Sequence, residues 1–208
     1  MKGGIYHRIQ IDMTYNSNHI EGSRLTKEQT RCIFETNTIG ITDEAVKVDD
    51  IIETTNHFKC IDFIIDKAKE PLTEAMIKQM HALLKAGTSD ASKSWFAVGE
   101  YKRNANEVGG IETTDPKLVG KAIRELLRDY KNKKVIGFED ILDFHHRFET
   151  IHPFQDGNGR VGRLIMFKEC LNHAIVPFII TDPGYLTDTC LTAQDHFKML
   201  LDYFKIKY

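Results

Sequence analysis

Helical periodicity dominates the pattern of apolar and polar positions along this 208-residue chain. Between Ala45 and Ala68 the apolar side chains recur every three or four positions, which predicts a long buried helix. Thr26 with Gln29 forms the pattern of a capping box, and Pro116 stands at the position that favours proline in a first helical turn. The same reading predicts six further helices, over Thr26–Thr36, Glu74–Lys85, Pro116–Tyr130, Phe138–Ile151, Leu164–Ala174 and Leu186–Phe204.

The stretch before the Pro116 helix breaks this periodicity. Residues 106–113 read as a short hairpin that turns on Gly109 and Gly110, because two adjacent glycines suit the positive φ angles of a tight hairpin turn. Strand signals are otherwise few and short. The sequence therefore predicts a mainly α protein with one short β-hairpin.

Composition and charge exclude several classes of protein. Lys and Arg number 28 against 30 Asp and Glu, and the net charge of −2 gives no strong field for nucleic acid or an anionic membrane. No apolar run approaches the roughly 18 residues of a membrane span, and the N-terminal segment lacks the apolar stretch of a signal peptide. None of the four cysteines forms a C-x-x-C pair. We expect reduced thiols and a cytoplasmic location.

Candidate chemistry concentrates in the loop that follows the predicted helix Phe138–Ile151. Pro153 disfavours helical geometry at His152, so the preceding helix should end there and present an imidazole. A new helix should begin at about Asn158, which is a good N-cap. Arg160 and Arg163 then lie on one side of its first turns, where the helix dipole opposes positive charge. An anionic ligand such as a polyphosphate resolves that conflict, and Asp156 beside it calls for a hard cation such as Mg²⁺.

The residues from His152 to Arg163 read H-P-F-Q-D-G-N-G-R-V-G-R. This segment resembles the Fic motif, H-P-F-x-[D/E]-G-N-G-R-x-x-R, without a departure, and the resemblance extends over roughly residues 45–208. It implies a Fic-type helical core and transfer of AMP from ATP to a Ser, Thr or Tyr hydroxyl of a target protein. His152 is the implied general base, and Asp156 the implied ligand of Mg²⁺ or Mn²⁺. The implied phosphate-binding residues are Gly157, Asn158, Gly159, Arg160 and Arg163.

A second fragment, S-N-H-I-E-G at residues 17–22, resembles the inhibitory motif [S/T]-x-x-x-E-[G/N] of some Fic proteins. That motif lies on a helix N-terminal to the core, so the resemblance implies an N-terminal arm over residues 1–44 and a catalytic core over residues 45–208. The resemblance implies that Glu21, with Ser17 as the other motif residue, pairs with Arg163 and takes the place of the γ-phosphate. ATP then binds only in an orientation unsuited to attack. An ordinary surface helix is the alternative interpretation of this fragment.

The Fic resemblance assigns further roles outside the two motifs. The hairpin, at about residues 104–114, corresponds to a flap that holds the target segment by strand-like pairing. Tyr185 is a candidate for the adenine pocket, although an aromatic residue near a helix start is more often core. The implied partners are ATP and an unidentified protein, with self-modification and a homo-oligomer left open. The candidate docking residues on the flap are Glu107, Val108, Gly109, Gly110 and Ile111.

Alternative functions are separable by their chemistry. The stretch from Gly157 to Gly162 also satisfies G-x-G-x-x-G, but a dinucleotide fold requires a strand before the first glycine, and the preceding segment has helical periodicity. An enzyme that removes AMP by means of Glu21, alone or in a bifunctional protein, stays open. A nucleotide-binding module without transfer is disfavoured by His152, because binding alone requires no base.

Overall fold

The computed structural model describes residues 3–40 and 45–181, and within these ranges seven α-helices and one hairpin make up the regular structure, apart from a 3-10 turn at Asp90–Ser92. The chain is thus mainly α with a small two-stranded antiparallel sheet, as the sequence predicts. The predicted helix over Leu186–Phe204 lies outside the described residues. The helices are α1 (Ile5–Ile20), α2 (Lys27–Thr36), α3 (Val48–Asp66), α4 (Glu74–Lys85), α5 (Pro116–Lys131), α6 (Phe138–Ile151) and α7 (Asn158–Asn172), and the strands are β1 (Glu107–Val108) and β2 (Ile111–Glu112).

Local signals account for where several of these helices begin. Thr26 accepts a hydrogen bond from the Gln29 amide while the Gln29 side chain accepts one from the Thr26 amide, so the predicted capping box is confirmed. Thr73 caps α4 by accepting a hydrogen bond from the Met76 amide. Asp115 caps α5, and Pro116 occupies its first position. Helix α3 begins at Val48 and ends at Asp66, so it is somewhat shorter than the predicted range from Ala45 to Ala68.

The hydrophobic core lies where α3, α4, α5, α6 and α7 pack together. Helix α7 is buried over most of its length, including Leu164 and Cys170, which are inaccessible to solvent. This central placement holds both ends of the loop between α6 and α7 against packed helices. Among the described residues, no helix is long and apolar enough to cross a membrane.

Helix α1 packs on α3 through a stripe of polar side chains. Gln10, Thr14 and Asn18 follow one another at intervals of four residues, so they lie on one face of the helix, and all three are buried. Gln10 donates a 2.7 Å hydrogen bond to Asp62, Thr14 bonds to a ring nitrogen of His57 at 3.0 Å, and Asn18 donates to Thr54 at 3.3 Å. Hydrogen bonds from these three side chains therefore fix the position of α1 against α3.

Candidate active site

His152 lies directly after α6 in a left-handed conformation, with φ 51° and ψ 63°. The helix ends at Ile151, as Pro153 requires, although the backbone of His152 turns left-handed rather than extended. Its Nδ1 lies 3.3 Å from the carbonyl oxygen of Glu149. A proton assigned to Nδ1 donates to that carbonyl and leaves Nε2 as the basic nitrogen. Burial lowers the pKa of His152 to about 4, so the imidazole is neutral at pH 7.

The Asn158 side chain closes the loop rather than capping α7. Its Oδ1 accepts from the Phe154 amide at 2.8 Å and its Nδ2 donates to the Phe154 carbonyl at 2.9 Å. The prediction of Asn158 as N-cap is therefore wrong, because the side chain turns back into the loop. Gly157 takes the capping position with φ 81°, a conformation that favours glycine. Two hydrogen bonds to one residue fix the shape of the loop.

His81 of α4 packs against the same loop and donates a hydrogen bond to it. Its ring stacks on Phe154 with the centroids 4.0 Å apart and the planes parallel to within 1°. Nδ1 accepts a hydrogen bond from the Gly99 amide at 2.9 Å, so Nε2 carries the proton that it donates to the Asp156 carbonyl at 3.2 Å. Burial lowers the pKa of His81 to about 4, which keeps it neutral in this role.

Asp156 belongs to a cluster of opposite charges at the start of α7. Its Oδ2 lies 2.7 Å from the Lys85 ammonium and 3.2 Å from the Arg160 guanidinium. Burial alone would raise the pKa of Asp156, but these two cations lower it to about 2. Glu53 of α3 contacts both cations and Asp90 contacts Lys85 at 3.0 Å, so three carboxylates face two buried basic groups. Asp156 is therefore ionised at every physiological pH.

Arg163 contacts the N-terminal arm. Its Nε donates to the Ser17 hydroxyl at 2.9 Å, and Nη2 donates to the Ser17 carbonyl at 3.0 Å and to Glu21 Oε1 at 2.5 Å. A Cβ at Gly159 would overlap Glu21 Oε1, so the carboxylate rests directly on the first turn of α7. The expected contact between Glu21 and Arg163 is present. Carboxylates here supply the negative charge that two arginines near a helix N-terminus require.

Glu149 places a carboxyl group beside His152. Its Oε2 lies 3.9 Å from His152 Nδ1, and a Cβ at Gly162 would come within 2.5 Å of its Oε1. Burial raises the pKa of Glu149 to about 8; the charge of Arg163 opposes this shift and that of Glu21 adds to it. The group is therefore mostly protonated at pH 7. Gly162 leaves the space that this carboxyl occupies.

A cleft of about 590 Å³, open to solvent, lies between the end of α1, the start of α3 and the loop. Glu21, Glu53, Lys85, Asp156 and Arg160 are among the residues that line it. Within the described residues no three His, Cys, Asp or Glu side chains form a metal-binding group. The donor set still suits a hard cation, because Mg²⁺ typically takes one or two carboxylates and completes its shell with water and phosphate oxygens. The Asp156 side chain is 44% exposed, so solvent reaches its carboxylate.

The hairpin turns at Gly109 and Gly110, as predicted. Val108 pairs with Ile111 and Glu107 with Glu112, while Gly109 and Gly110 both have positive φ. All four strand residues are exposed. The remaining candidate, Tyr185, lies outside the described residues.

Sequence reasoning missed residues that complete the site from other helices. Glu53, His81 and Lys85 stand 107 to 71 positions away from their partners in the loop. Each lies in a segment whose periodicity marks only a buried helix. The one available signal is a charged residue on an apolar helical face, since a buried charge normally has a partner.

Comparison with known proteins agrees with the fold and the motif. Residues 71–170, which include the loop that carries His152, match the sequence model of the Fic/DOC family. A Fic-domain-containing signalling protein from Bacteroides thetaiotaomicron has a similar structure, with a TM-score of 0.76 at 25% identity, over 93% of this chain and 79% of that one. Fic-1 from Caenorhabditis elegans shares the fold, with a TM-score of 0.68 at 20% identity, over 86% of this chain and 52% of that one.

Two relatives are described as protein adenylyltransferases. A probable protein adenylyltransferase of Aquifex aeolicus is 29% identical over 157 residues, which cover 68% of this chain and 47% of that protein. The protein adenylyltransferase Fic of Aedes aegypti is 26% identical over 173 residues, which cover 82% of this chain and 34% of that protein. The chain thus spans less than half the length of these relatives.

Proposed function

We propose that this protein transfers AMP from ATP to a hydroxyl group of a protein and that Glu21 restrains the reaction. The observation that carries the proposal is the loop of residues 152–163. It holds a neutral imidazole at the end of α6 and places an ionised carboxylate and two guanidinium groups at the start of α7, where Asp156 and Arg160 line an open cleft. The names of the relatives described above agree with this chemistry. The target is a Ser, Thr or Tyr side chain of another protein or of the chain itself.

In the proposed reaction, His152 accepts the proton of the attacking hydroxyl at Nε2. The hydroxyl oxygen forms a bond to the α-phosphorus of ATP, the bond from that phosphorus to the bridging oxygen breaks, and pyrophosphate leaves. The first-turn amides of α7 have no acceptor within the helix and bind phosphate oxygens. Arg160 and Arg163 bind the outer phosphates. Asp156 would hold Mg²⁺, with Mn²⁺ as a substitute, and the ion would neutralise phosphate charge.

The restraint by Glu21 follows from competition for Arg163. The Glu21 carboxylate and a γ-phosphate are both anions, and the carboxylate is tethered, so it competes at high effective concentration. A hydrogen bond to a charged group contributes about 1.5–3 kcal/mol, and about 1.4 kcal/mol changes a rate tenfold. Removing the carboxylate should therefore raise transfer about tenfold or more.

Labelled ATP separates the proposed reaction from other chemistry. Wild type, Glu21→Gly and the double variant Glu21→Gly/His152→Ala are each incubated with Mg²⁺ and ATP labelled at either the α- or the γ-phosphate. We expect α-label on protein, strongest with Glu21→Gly and absent from the double variant. Label from the γ-phosphate alone would indicate a kinase. Equal labelling by wild type and Glu21→Gly would show that the N-terminal helix exerts no restraint.

The same variant distinguishes addition of AMP from its removal. Removal that uses Glu21 would slow when the carboxylate is lost, whereas transfer would accelerate. The two activities should thus move in opposite directions. Arg163→Ala serves as a control that does not mimic Glu21→Gly, because it deletes the phosphate contact together with the restraining one.

A further inference from the structure

The hairpin formed by β1 and β2 is too small to hold its position by itself. Each strand has two residues, all of them exposed, and Val108 and Ile111 are 49% and 51% accessible. Isolated two-stranded hairpins are marginally stable at best in water. The contacts at the base of the hairpin must therefore set where it lies.

A buried lysine occupies that base. Lys102 is 3% exposed, and its ammonium group donates to Asn106 Oδ1 at 2.6 Å and to Thr113 Oγ1 at 2.5 Å. Asn106 precedes β1 and Thr113 follows β2, so the ammonium bridges both ends of the hairpin. The Thr113 amide also donates to the Asn106 carbonyl at 3.3 Å. Burying an ammonium is costly unless such partners satisfy it.

Lys102 and Asn106 also contact the backbone of the segment that carries His152. The Lys102 amide donates to the Pro153 carbonyl at 2.9 Å, and its ammonium lies 3.5 Å from the Ile151 carbonyl. Asn106 Nδ2 donates to the Phe154 carbonyl at 3.0 Å. Three backbone carbonyl groups next to His152 along the chain thus accept hydrogen bonds from the base of the hairpin.

We propose that Lys102 and Asn106 are positioning residues that form a clamp between the hairpin and the segment that carries His152. A target strand that pairs with the hairpin is then held at a fixed place relative to the imidazole. The docking of a target rests on the proposed function, whereas the clamp itself is a property of the folded chain.

The charge of Lys102 also affects the pKa of His152, so the clamp can be tested by titration. Burial is the largest cause of the lowered pKa of His152, and the charge of Lys102 lowers it further. The hydrogen bond with the Glu149 carbonyl and the charges of Glu21 and Asp156 act in the opposite direction.

Burial also lowers the pKa of Lys102 to about 8, against the charge of Asp115. Removing the ammonium should raise the pKa of His152. Asn106→Ala loosens the same contacts but keeps the ammonium, so it separates the effect of charge from the effect of greater exposure.

The test compares Lys102→Met, Asn106→Ala and their combination with wild type. Lys121→Met, at a side chain that is 72% exposed on α5, controls for loss of a lysine charge. We expect hydrogen exchange at the Thr113 amide to accelerate at least tenfold in each clamp variant. The combined variant should show less than the product of the two factors, because both residues belong to one network.

Titration of the His152 imidazole by NMR supplies the second measurement. Its pKa should rise in Lys102→Met and stay near the wild-type value in Asn106→Ala and Lys121→Met. In the Glu21→Gly background, labelling from α-labelled ATP should fall at least tenfold in either clamp variant. Should Lys102→Met fail to fold, Asn106→Ala retains the ammonium and still tests the clamp by exchange at Thr113 and by labelling.

Unchanged exchange at Thr113 together with an unchanged pKa of His152 would overturn the clamp. Undiminished labelling in clamp variants that do show faster exchange would overturn its role in positioning. Absence of label from every protein, including Glu21→Gly, would instead refute the proposed function. The exchange and titration results do not depend on AMP transfer, so the two failures are distinguishable.

Discussion

Substitution of Glu149 by Gln should stabilise the protein, and increasingly so as the pH rises. Burial raises the pKa of this carboxyl group from 4.5 to about 8 in the folded chain. Between these two values the unfolded chain releases the proton while the folded chain retains it. The free energy of unfolding therefore falls as the pH rises from 4.5 to 8. A glutamine keeps the shape of the neutral acid and carries no such dependence.

The size of the effect follows from that shift and from exposure. One pKa unit corresponds to about 1.4 kcal/mol, so a shift of this size corresponds to about 5 kcal/mol if nothing screens the group. The Glu149 side chain is 26% exposed, and contact with water reduces that figure. We expect Glu149→Gln to gain about 2–4 kcal/mol at pH 8. For a chain of this length that is a rise in melting temperature of about 5–15 °C.

Thermal unfolding of wild type and Glu149→Gln at pH 4.5, 6, 7 and 8 measures the effect. The difference in melting temperature should be near zero at the lowest pH and largest at the highest. Glu139→Gln provides the matched control, because Glu139 lies exposed on the same helix. A difference that stays constant from pH 4.5 to 8 would show that the Glu149 carboxyl is ionised throughout and would refute the reasoning.

Three further substitutions test separate parts of the site. His152→Ala should abolish transfer and leave ATP affinity within a few-fold, since the proposed phosphate contacts begin at Gly157; a collapse of affinity in calorimetry would contradict its role as base. Asp156→Ala should remove most Mg²⁺-dependent activity, and undiminished turnover at limiting Mg²⁺ would move the metal site elsewhere. Glu53→Gln should lower the free energy of unfolding by about 1.5–3 kcal/mol, because Lys85 and Arg160 lose a shared carboxylate while both keep Asp156; denaturant unfolding measures this, and an unchanged midpoint would argue against the pairing.

Local patterns in the sequence were sufficient for much of the fold. Helix α6 begins and ends where its periodicity and Pro153 predict. The hairpin turns on Gly109 and Gly110, because two adjacent positive φ angles leave few alternatives. These elements depend on residues close together in sequence, so the sequence alone defines them.

Helix α1 shows where such patterns fail. Its periodicity is weak as an apolar signal because the face that it buries carries Gln10, Thr14 and Asn18. Only the resemblance of residues 17–22 to a known motif indicated a helix there. The charged partners Glu53 and Lys85 were missed for a related reason. They act through contacts between distant segments, and no local spacing encodes which segments meet.

The polar stripe on α1 determines the register of that helix against the core. An apolar stripe would tolerate sliding, because dispersion contacts re-form at many offsets, whereas hydrogen bonds require particular partners. A slip of one turn would displace Glu21 by about 5.4 Å from Arg163 and would unpair Gln10, Thr14 and Asn18 together. The position of the Glu21 carboxylate is thus specified by side chains up to three turns away. Substitutions on this stripe would alter the site without touching it.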